Sequence, residues 1–477
     1  VNIDPFIGRQ KEVEELKALL TKKTASVAVI KGRRRIGKSR LVHEFARGMT
    51  LYAFEGLAPQ KGITAQMQRN EFARQLSAQT GLPELTIDDW SKLFILLGNQ
   101  AQKGRIIIFL DEISWMGSED PEFLPKLKVI WESHFKKNAK LILILCSSVS
   151  TWMEENILGS TGYFGRISWT MTVNPLLLSD CNRFLDAIKF NYSAYEKFKI
   201  LAITGGVPWY IEQIQGQLNA DENIKRQCFT EGGVLFNDFE RVFHDLYDKR
   251  GGQYKKIVSA LIKQPLTYEE ISRKTHYPSS GRLTGYLNEL IEAGFLRRYF
   301  TLSTRTGEES SKSVYRIKDN YLRFYLKYIE PNRDRVINGQ FESMKVSELS
   351  GWESGMGYQF ENLILENRQH LWEILKIDPK DIMFDNPYFQ RSPTPGESCQ
   401  VDYLIQTRFN TYYLFEFKFS RNPIKSKIIQ ELKSKMKRLK IPRGAACLPI
   451  LIHVNGVAPS VQESDFFFKI IDFQDFL

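Results

Sequence analysis

A multidomain α/β chain is predicted by three observations. Short β-branched apolar runs, among them "VAVIK", "RIIIFLD" and "LILILC", are separated by stretches of helical periodicity. Those runs lack an alternating polar face, which marks strands of a parallel sheet covered on both sides. A length of 477 residues exceeds what a single hydrophobic core organises, so about three units are expected.

Composition narrows the function classes. With 43% hydrophobic, 13% aromatic and 25% charged residues, the chain can bury sizeable cores and is not a disordered polyampholyte. A formal charge of +11 favours polyanionic partners, because each neutralised phosphate releases condensed counterions, although a solvated basic surface would give the same total. Cys146, Cys181, Cys228, Cys399 and Cys447 are odd in number and show no CxxC spacing, which argues against both a disulfide framework and a zinc site. The longest apolar runs fall well short of the roughly 18 residues of a membrane span, so no membrane partner and a cytoplasmic location are expected.

The first element, "VAVIKGRRRIGKSRLV" over residues 27–42, runs from a strand through Gly32, Gly37, Lys38 and Ser39 into a helix, which is the P-loop pattern in its required context. Backbone N–H groups of such a loop wrap phosphates, Lys38 neutralises charge on the terminal ones, and Ser39 offers a hydroxyl to Mg²⁺. ATP is the expected cofactor, held by Gly32, Arg35, Ile36, Gly37, Lys38, Ser39 and Arg40. The next strand ends in Asp111 and Glu112: Asp111 is expected to hold Mg²⁺ through water and Glu112 to activate the attacking water, unless the two acids merely cap the following helix. A third strand delivers Ser147 and Ser148 to the same edge, where Ser148 would sense the terminal phosphate or simply make a turn.

These residues, with "FIGR" ending at Arg9, "YFGR" ending at Arg166 and "GGVPWY" from Gly205, resemble the archaeal-type ATPases, a family placed with the signal-transduction branch of AAA+ P-loop NTPases. The resemblance implies a P-loop domain over residues 1–174 and a helical lid over 175–250. It further implies that Gly8 and Arg9 lie near the adenine, that Arg166 lies near the phosphates, and that Gly206 and Pro208 lie in the lid. Arg166 is then expected to neutralise the transferring phosphoryl group, in the same molecule or across a subunit boundary, or else to be a surface arginine. No arginine follows the Gly-Gly-x-Pro, so oligomeric state stays open, a homo-oligomer included.

Residues 251–330 read as three helices and two strands. Thr267 and Glu270 form a capping box, Ser279 or Ser280 caps the third helix, and Leu283, Leu287, Leu290 and Ile291 make its buried stripe. This is similar to winged helix-turn-helix domains, which implies DNA contact through Arg282 and Asn288, with Lys312, Arg297 and Arg298 nearby; rigid spacing or a protein partner is the alternative.

A linker is expected over 331–350 and a further domain over 351–477. There, "GWESGMGYQFENLILENRQ" is an amphipathic helix with Phe360, Leu363 and Ile364 inward and Glu361 beside them. The stretch "VDYLIQTRFNTYYLFEFKFS" reads as a hairpin turning near Phe409, which sets Asp402 across from Glu416 with Lys418 on the same face and Tyr413, Phe415, Phe417 and Phe419 on the other, core-facing side. Opposed carboxylates repel unless a cation lies between them, so Glu361, Asp402 and Glu416 are expected to hold Mg²⁺, or alternatively Mn²⁺. Glu416 and Lys418 are expected to be catalytic, with Lys418 positioning the reacting groups; the bland reading is an ion-paired stripe on a wet sheet face. The helix that follows buries Ile424, Ile428, Leu432, Met436 and Leu439 and exposes a basic face with Lys425, Lys427, Lys433, Lys435, Lys437, Arg438 and Lys440, suited to a phosphate backbone or, failing that, to an acidic surface.

Glu361, Asp402, Glu416-x-Lys418 and a helix carrying Gln430 resemble the PD-(D/E)xK nuclease fold. The order of the parts then implies a Mg-dependent ATPase acting on DNA, with a metal-dependent endonuclease domain gated by nucleotide state. The alternative is a signalling ATPase that binds DNA or protein through its C-terminal half without cutting.

Overall fold

The computed structural model describes residues 6–477 apart from 59, 61, 84–85, 118–119, 161–164, 248–250, 279–280, 304–307, 342, 391–397 and 440. Ser279, Ser280, Lys440 and the Tyr163-Phe164 of "YFGR" therefore lie outside the described residues. The chain forms two compact units, Asp4–Pro175 with Arg241–Gly251, and Leu176–Glu240 with Gly252–Leu477. Among the described residues no helix is long and apolar enough to cross a membrane.

The front unit is built on a five-stranded parallel sheet. Its strands are β1 (Ser26–Lys31), β2 (Thr50–Glu55), β3 (Ile106–Asp111), β4 (Ile142–Ser147) and β5 (Ile167–Thr172), in the order β2-β3-β4-β1-β5. The β-branched runs of β1, β3 and β4 are buried along their length, as strands covered on both faces must be. Trp90, Phe94 and Phe123 pack edge-on or stacked against one another and against Phe72 on one side of the sheet. Helix α1 (Lys38–Phe45) follows β1 directly and α2 (Phe123–Ser133) precedes β4.

In the rear unit, helix α3 (Ala194–Thr204) follows a Ser193 cap whose hydroxyl accepts from Glu196 N, and it ends on Gly205 at φ 58°. Gly206, at φ 74°, admits no Cβ, since one would meet Leu176 O at 2.5 Å. Helices α4 (Gly251–Ala260), α5 (Tyr268–Thr275) and α6 (Gly281–Glu292) lead into an antiparallel pair, β6 (Leu296–Ser303) and β7 (Glu308–Ile317). The Thr267–Glu270 capping box is present, and Leu283, Leu287 and Leu290 are buried, with Ile291 half-buried.

Residues 331–350 do not form the linker that composition suggests. Val336, Phe341, Val346 and Leu349 are buried, and Phe341 stacks on Phe229 at 5.2 Å. Apolar residues spaced between charges sufficed to dock the segment.

The last five strands form a mixed sheet: β8 (Ile382–Gln390), β9 (Cys399–Thr407), β10 (Thr411–Lys418), β11 (Ala446–His453) and β12 (Lys469–Asp472), in the order β12-β11-β10-β9-β8. β8, β9 and β10 are antiparallel, whereas β10, β11 and β12 are parallel. Helix α7 (Trp352–Glu366) covers one face through Phe360, 6.3 Å from the Phe417 ring. Helix α8 (Lys427–Arg438) covers the other, where Ile428 and Leu432 join Tyr412 and Leu414 in a core. The wet sheet face of the alternative reading is thus not found at Glu416; β10 is central and Glu416 is only 2% exposed.

The β6–β7 pair is fastened to this sheet. Thr301 Oγ1 donates to Phe389 O at 2.9 Å and accepts from Phe389 N at 3.2 Å, while Leu302 enters the core beneath α8.

Candidate functional site

At the carboxyl edge of the front sheet the loop after β1 turns on Gly32 and Gly37. At Gly32 a Cβ would meet Val173 O at 2.6 Å, and Gly37, at φ 90°, precedes the first residue of α1. Lys38 is buried and its Nζ donates to Gly32 O at 2.9 Å and Arg33 O at 3.2 Å, so the ammonium lies inside the loop it follows. Ser39 Oγ donates to Asp111 Oδ2 at 2.5 Å, which brings a hydroxyl and a carboxylate together. Ile36 is buried, Arg35 adopts φ 69°, and Arg40 is exposed on α1. Gly8 (φ 72°) and Arg9 (φ 66°) reach the same loop, since Arg9 Nη2 donates to Ile36 O at 3.2 Å.

Glu112 is 9% exposed and holds a left-handed backbone at φ 47°, an uncommon state for a non-glycine residue. Its Oε2 accepts from both Ser148 N and Ser148 Oγ at 2.9 Å. Ser148 thus meets Glu112 directly. Glu55, which the sequence reading passed over, ends β2 in register with Asp111; desolvation, then Asp111 and Glu112, raises its carboxyl above the ordinary range.

Arg166 is placed elsewhere. It precedes β5, whose first residue pairs with Val27 at the start of β1, whereas the phosphate loop follows Lys31 at the other end. The intervening strand spans roughly 16 Å. Arg166 Nε instead donates to Glu132 Oε1 at 2.6 Å, at the end of α2. The expectation that Arg166 serves the phosphates of its own molecule is corrected by that geometry. Pro208 opens the helix Pro208–Glu212 of the rear unit.

In the rear unit, Glu361, Asp402, Glu416 and Lys418 line one cavity of about 600 Å³. The β9–β10 register pairs Tyr403 with Phe415, so Asp402 stands opposite Glu416, and Asp402 Oδ2 accepts from Phe417 N at 2.8 Å. Burial, then Glu416 and Glu361, pushes the Asp402 carboxyl well above the ordinary range.

The repulsion is relieved by lysines. Lys418 Nζ lies 2.9 Å from Glu416 Oε1, and Lys435 Nζ reaches from α8 to 2.5 Å from Glu416 Oε2. Burial alone would lower both ammonium groups, but Glu416 and Asp402 outweigh it and hold both above the usual lysine value. Glu361 is engaged by a third cation: Arg316 on β7, 4% exposed, gives Nη1 to Glu361 Oε2 at 2.6 Å, Nε to Asn362 Oδ1 at 2.7 Å and Nη2 to Tyr358 O at 3.1 Å.

The expected three-acid shell is therefore not assembled. Among the described residues no three His, Cys, Asp or Glu side chains are grouped to hold one ion. Asp402 and Glu416 remain as a pair with Lys418 and Lys435 around them. Lys435 was expected on the outward basic face, and Arg316 was not anticipated at all; Gln430 is exposed. A signal for Lys435 exists in the sequence, since it follows Leu432 by three residues and precedes Leu439 by four, on the apolar stripe itself.

Of the residues expected to meet nucleic acid, Arg282, Asn288, Lys425, Lys433 and Lys437 are exposed, and Lys425 precedes α8. Arg297 is held by Glu366 at 2.9 Å rather than presented outward.

Residues 6–214 match the family model of an ATPase domain predominantly from Archaea. An uncharacterized protein of Methanocaldococcus jannaschii is 27% identical over 368 residues, 76% of each chain. Among solved structures, the Walker-type ATPase PABY2304 of Pyrococcus abyssi aligns with a TM-score of 0.51 at 16% identity, covering 67% of this chain and 96% of that one. The Aeropyrum pernix ORC2 protein aligns with a TM-score of 0.45 at 15% identity, covering 71% and 96%. With its glycine loop, buried lysine and strand-end acids, the front of this chain is an archaeal-type P-loop ATPase domain.

Proposed function

We propose that the protein is a Mg-dependent ATPase whose rear pocket cleaves phosphodiester bonds of DNA. The front residues fit the nucleotide and its ion: Ser39 Oγ and Asp111 Oδ2, side by side at the end of the loop, would hold Mg²⁺, Asp111 through water, and the ion would offset charge on the phosphates. Lys38 exchanges the loop carbonyls for phosphate oxygens, and Gly8 and Arg9 flank the loop where a base would lie. Glu112 accepts a proton from the attacking water once Ser148 releases it to face the terminal phosphate. Arg166, paired to Glu132, is left a role only across a subunit boundary.

The observation that carries the rear reading is the meeting of Asp402, Glu416 and Lys418 in one cavity, and the hairpin, flanking helices and mixed sheet around it support a PD-(D/E)xK-like reading. Asp402 and Glu416 fit a divalent cation, since their mutual repulsion is what such an ion removes. Bound there, the ion would polarise water and stabilise a departing oxygen. Lys418 orients the phosphate, and Lys435 leaves Glu416 to neutralise a neighbouring oxygen. Helices α4–α6 with β6 and β7 are read as a winged helix-turn-helix, and Arg282 and Asn288 on α6, with Lys425, Lys433 and Lys437 near and on α8, would meet DNA.

The test is incubation of purified protein with Mg²⁺ or Mn²⁺ and a panel of single-stranded, duplex and branched DNA, with Glu416→Gln and Lys38→Ala beside it. Metal-dependent cutting that disappears in Glu416→Gln and persists in Lys38→Ala is expected, and a non-hydrolysable ATP analogue should change its rate if nucleotide state gates the pocket. One observation favours a second reading: Glu416 is already neutralised by two lysines, as a non-cleaving regulatory binder would have it. No cutting by the wild type under any of these conditions would select that reading.

A further inference from the structure

A second cavity of about 800 Å³ lies between α5, the β6–β7 hairpin and the edge strand β8. It shares Tyr388, Phe389 and Gln390 with the cavity that holds Glu416, so the two adjoin along β8. Its wall is unlike an ordinary apolar cleft. Ser303, Ser310, Ser311 and Ser313 supply hydroxyls, and Arg273, Arg298 and Lys312 supply positive charge. Of its two carboxylates, Glu270 accepts from Thr267 N at 2.8 Å in the α5 cap, which leaves Glu269.

Arg298 is held between two rings and a hydroxyl of the hairpin. Its guanidinium carbon lies 4.5 Å from the Phe300 ring centroid and 5.4 Å from that of Tyr315, and Nε donates to Ser313 Oγ at 2.8 Å. A planar cation fixed in this way keeps donors for phosphate and a face on which a base can stack, at little further loss of side-chain freedom.

We propose that this groove seats the backbone of a single polynucleotide strand and leads it to the Glu416 pocket. The proposal rests on the reading of that pocket as a phosphodiester-cleaving site, and it names the form of the substrate. Duplex DNA is read by protein elements that project into a groove about 12 Å wide. Here the protein is the concave partner, and both cavities fall within the range of about 300–1,000 Å³ typical of clefts that enclose one small ligand. Cations interleaved with hydroxyls track one backbone, as single-strand channels do.

The test is fluorescence anisotropy of the full chain in EDTA with a labelled oligothymidylate of about 12 nucleotides. The same strand in a duplex and an oligouridylate are the other arms, the last to separate DNA from RNA. The single strand should bind at least ~10-fold more tightly than the duplex, and Arg273→Ala with Lys312→Ala should lower its affinity ~10-fold and reduce the salt slope by about 2. Arg298→Lys, which keeps the charge but loses the flat guanidinium, should give a smaller loss. Far-UV circular dichroism and the melting temperature of the rear unit should be unchanged in these variants, which reports their folding. Duplex binding as tight as single-strand binding, no binding of either, or unchanged affinity in the double variant would overturn the groove. Absence of cutting by the wild type, with these affinities as expected, would remove the cleavage reading and leave the groove standing.

Discussion

The front loop and the rear pocket both gather charge at the end of β-strands, yet they solve the electrostatic problem in opposite ways. In front, the groups proposed to meet phosphate are mostly backbone, shaped by Gly32 and Gly37, and Lys38 rests on carbonyls of its own loop. At the rear, Glu416 is neutralised by two lysine side chains, Lys418 two residues along β10 and Lys435 from α8, with Arg316 from β7 holding Glu361 beside them. A phosphate cradle made of main chain is local and survives changes elsewhere. A pocket made of paired side chains depends on packing between distant segments.

The largest effect that would sharpen this contrast is Lys38→Ala, which should lower ATP hydrolysis by ~100-fold or more while leaving the melting temperature of the rear unit in place, as measured by turnover and by calorimetry. Equal loss of rear stability would break the contrast. Glu416→Ala comes next, because it strands two partly desolvated lysines; with solvent screening of Lys418, urea unfolding should show a loss of about 2 kcal/mol, with ATP turnover kept. A loss no larger than that of an exposed pair would mean the lysines are satisfied elsewhere.

Asp402→Asn has the opposite sign. The Asp402 carboxyl is held above its unfolded value, so the native state binds the extra proton between the two values, and stability falls as pH rises through that window. The variant should flatten that fall and raise the melting temperature at neutral pH by about 2–4 °C, at the expense of any cutting. A variant less stable than wild type at neutral pH would show that the ionised carboxylate is favoured after all. Smallest is Arg166→Ala: its half-exposed contact with Glu132 is worth ~0.5 kcal/mol, and hydrolysis by dilute protein should stay within about 2-fold of wild type. A steep loss that appears only as protein concentration rises would place Arg166 in a neighbouring subunit's site.

The front site was legible because its parts are contiguous: a strand, a loop and a helix carry their instructions within residues 27–42. The hairpin register was legible for the same reason, since the turn near Phe409 fixes which residue faces which and sets Asp402 opposite Glu416. What surrounds those acids was not. Arg316 and Glu361 are far apart in sequence, and nothing in the alternation of β7 says that its arginine turns inward. Lys435 was hidden by its neighbours, among which Lys425, Lys427, Lys433 and Lys437 do face outward. Burial on both sides of β10 was missed because alternating aromatics suggest one apolar face, whereas Tyr412 and Leu414 on the other are apolar too. The supposed linker failed on the same account: Phe341, Val346 and Leu349 are too few to register as a pattern but enough to dock.

The threonine that grips Phe389 has a consequence for how this chain can be dissected. β8 ends the sheet, and an open strand end offers unmade N–H and C=O groups to any passing extended segment. One hydroxyl, Thr301 Oγ1, answers both groups of Phe389 from a hairpin some ninety residues earlier in the chain, and Leu302 beside it plugs the core. Excising 351–477 as a freestanding module would uncork that seam, and the fragment would associate with copies of itself through the bared strand; carrying the cut back to include β6 and β7 keeps the seam closed.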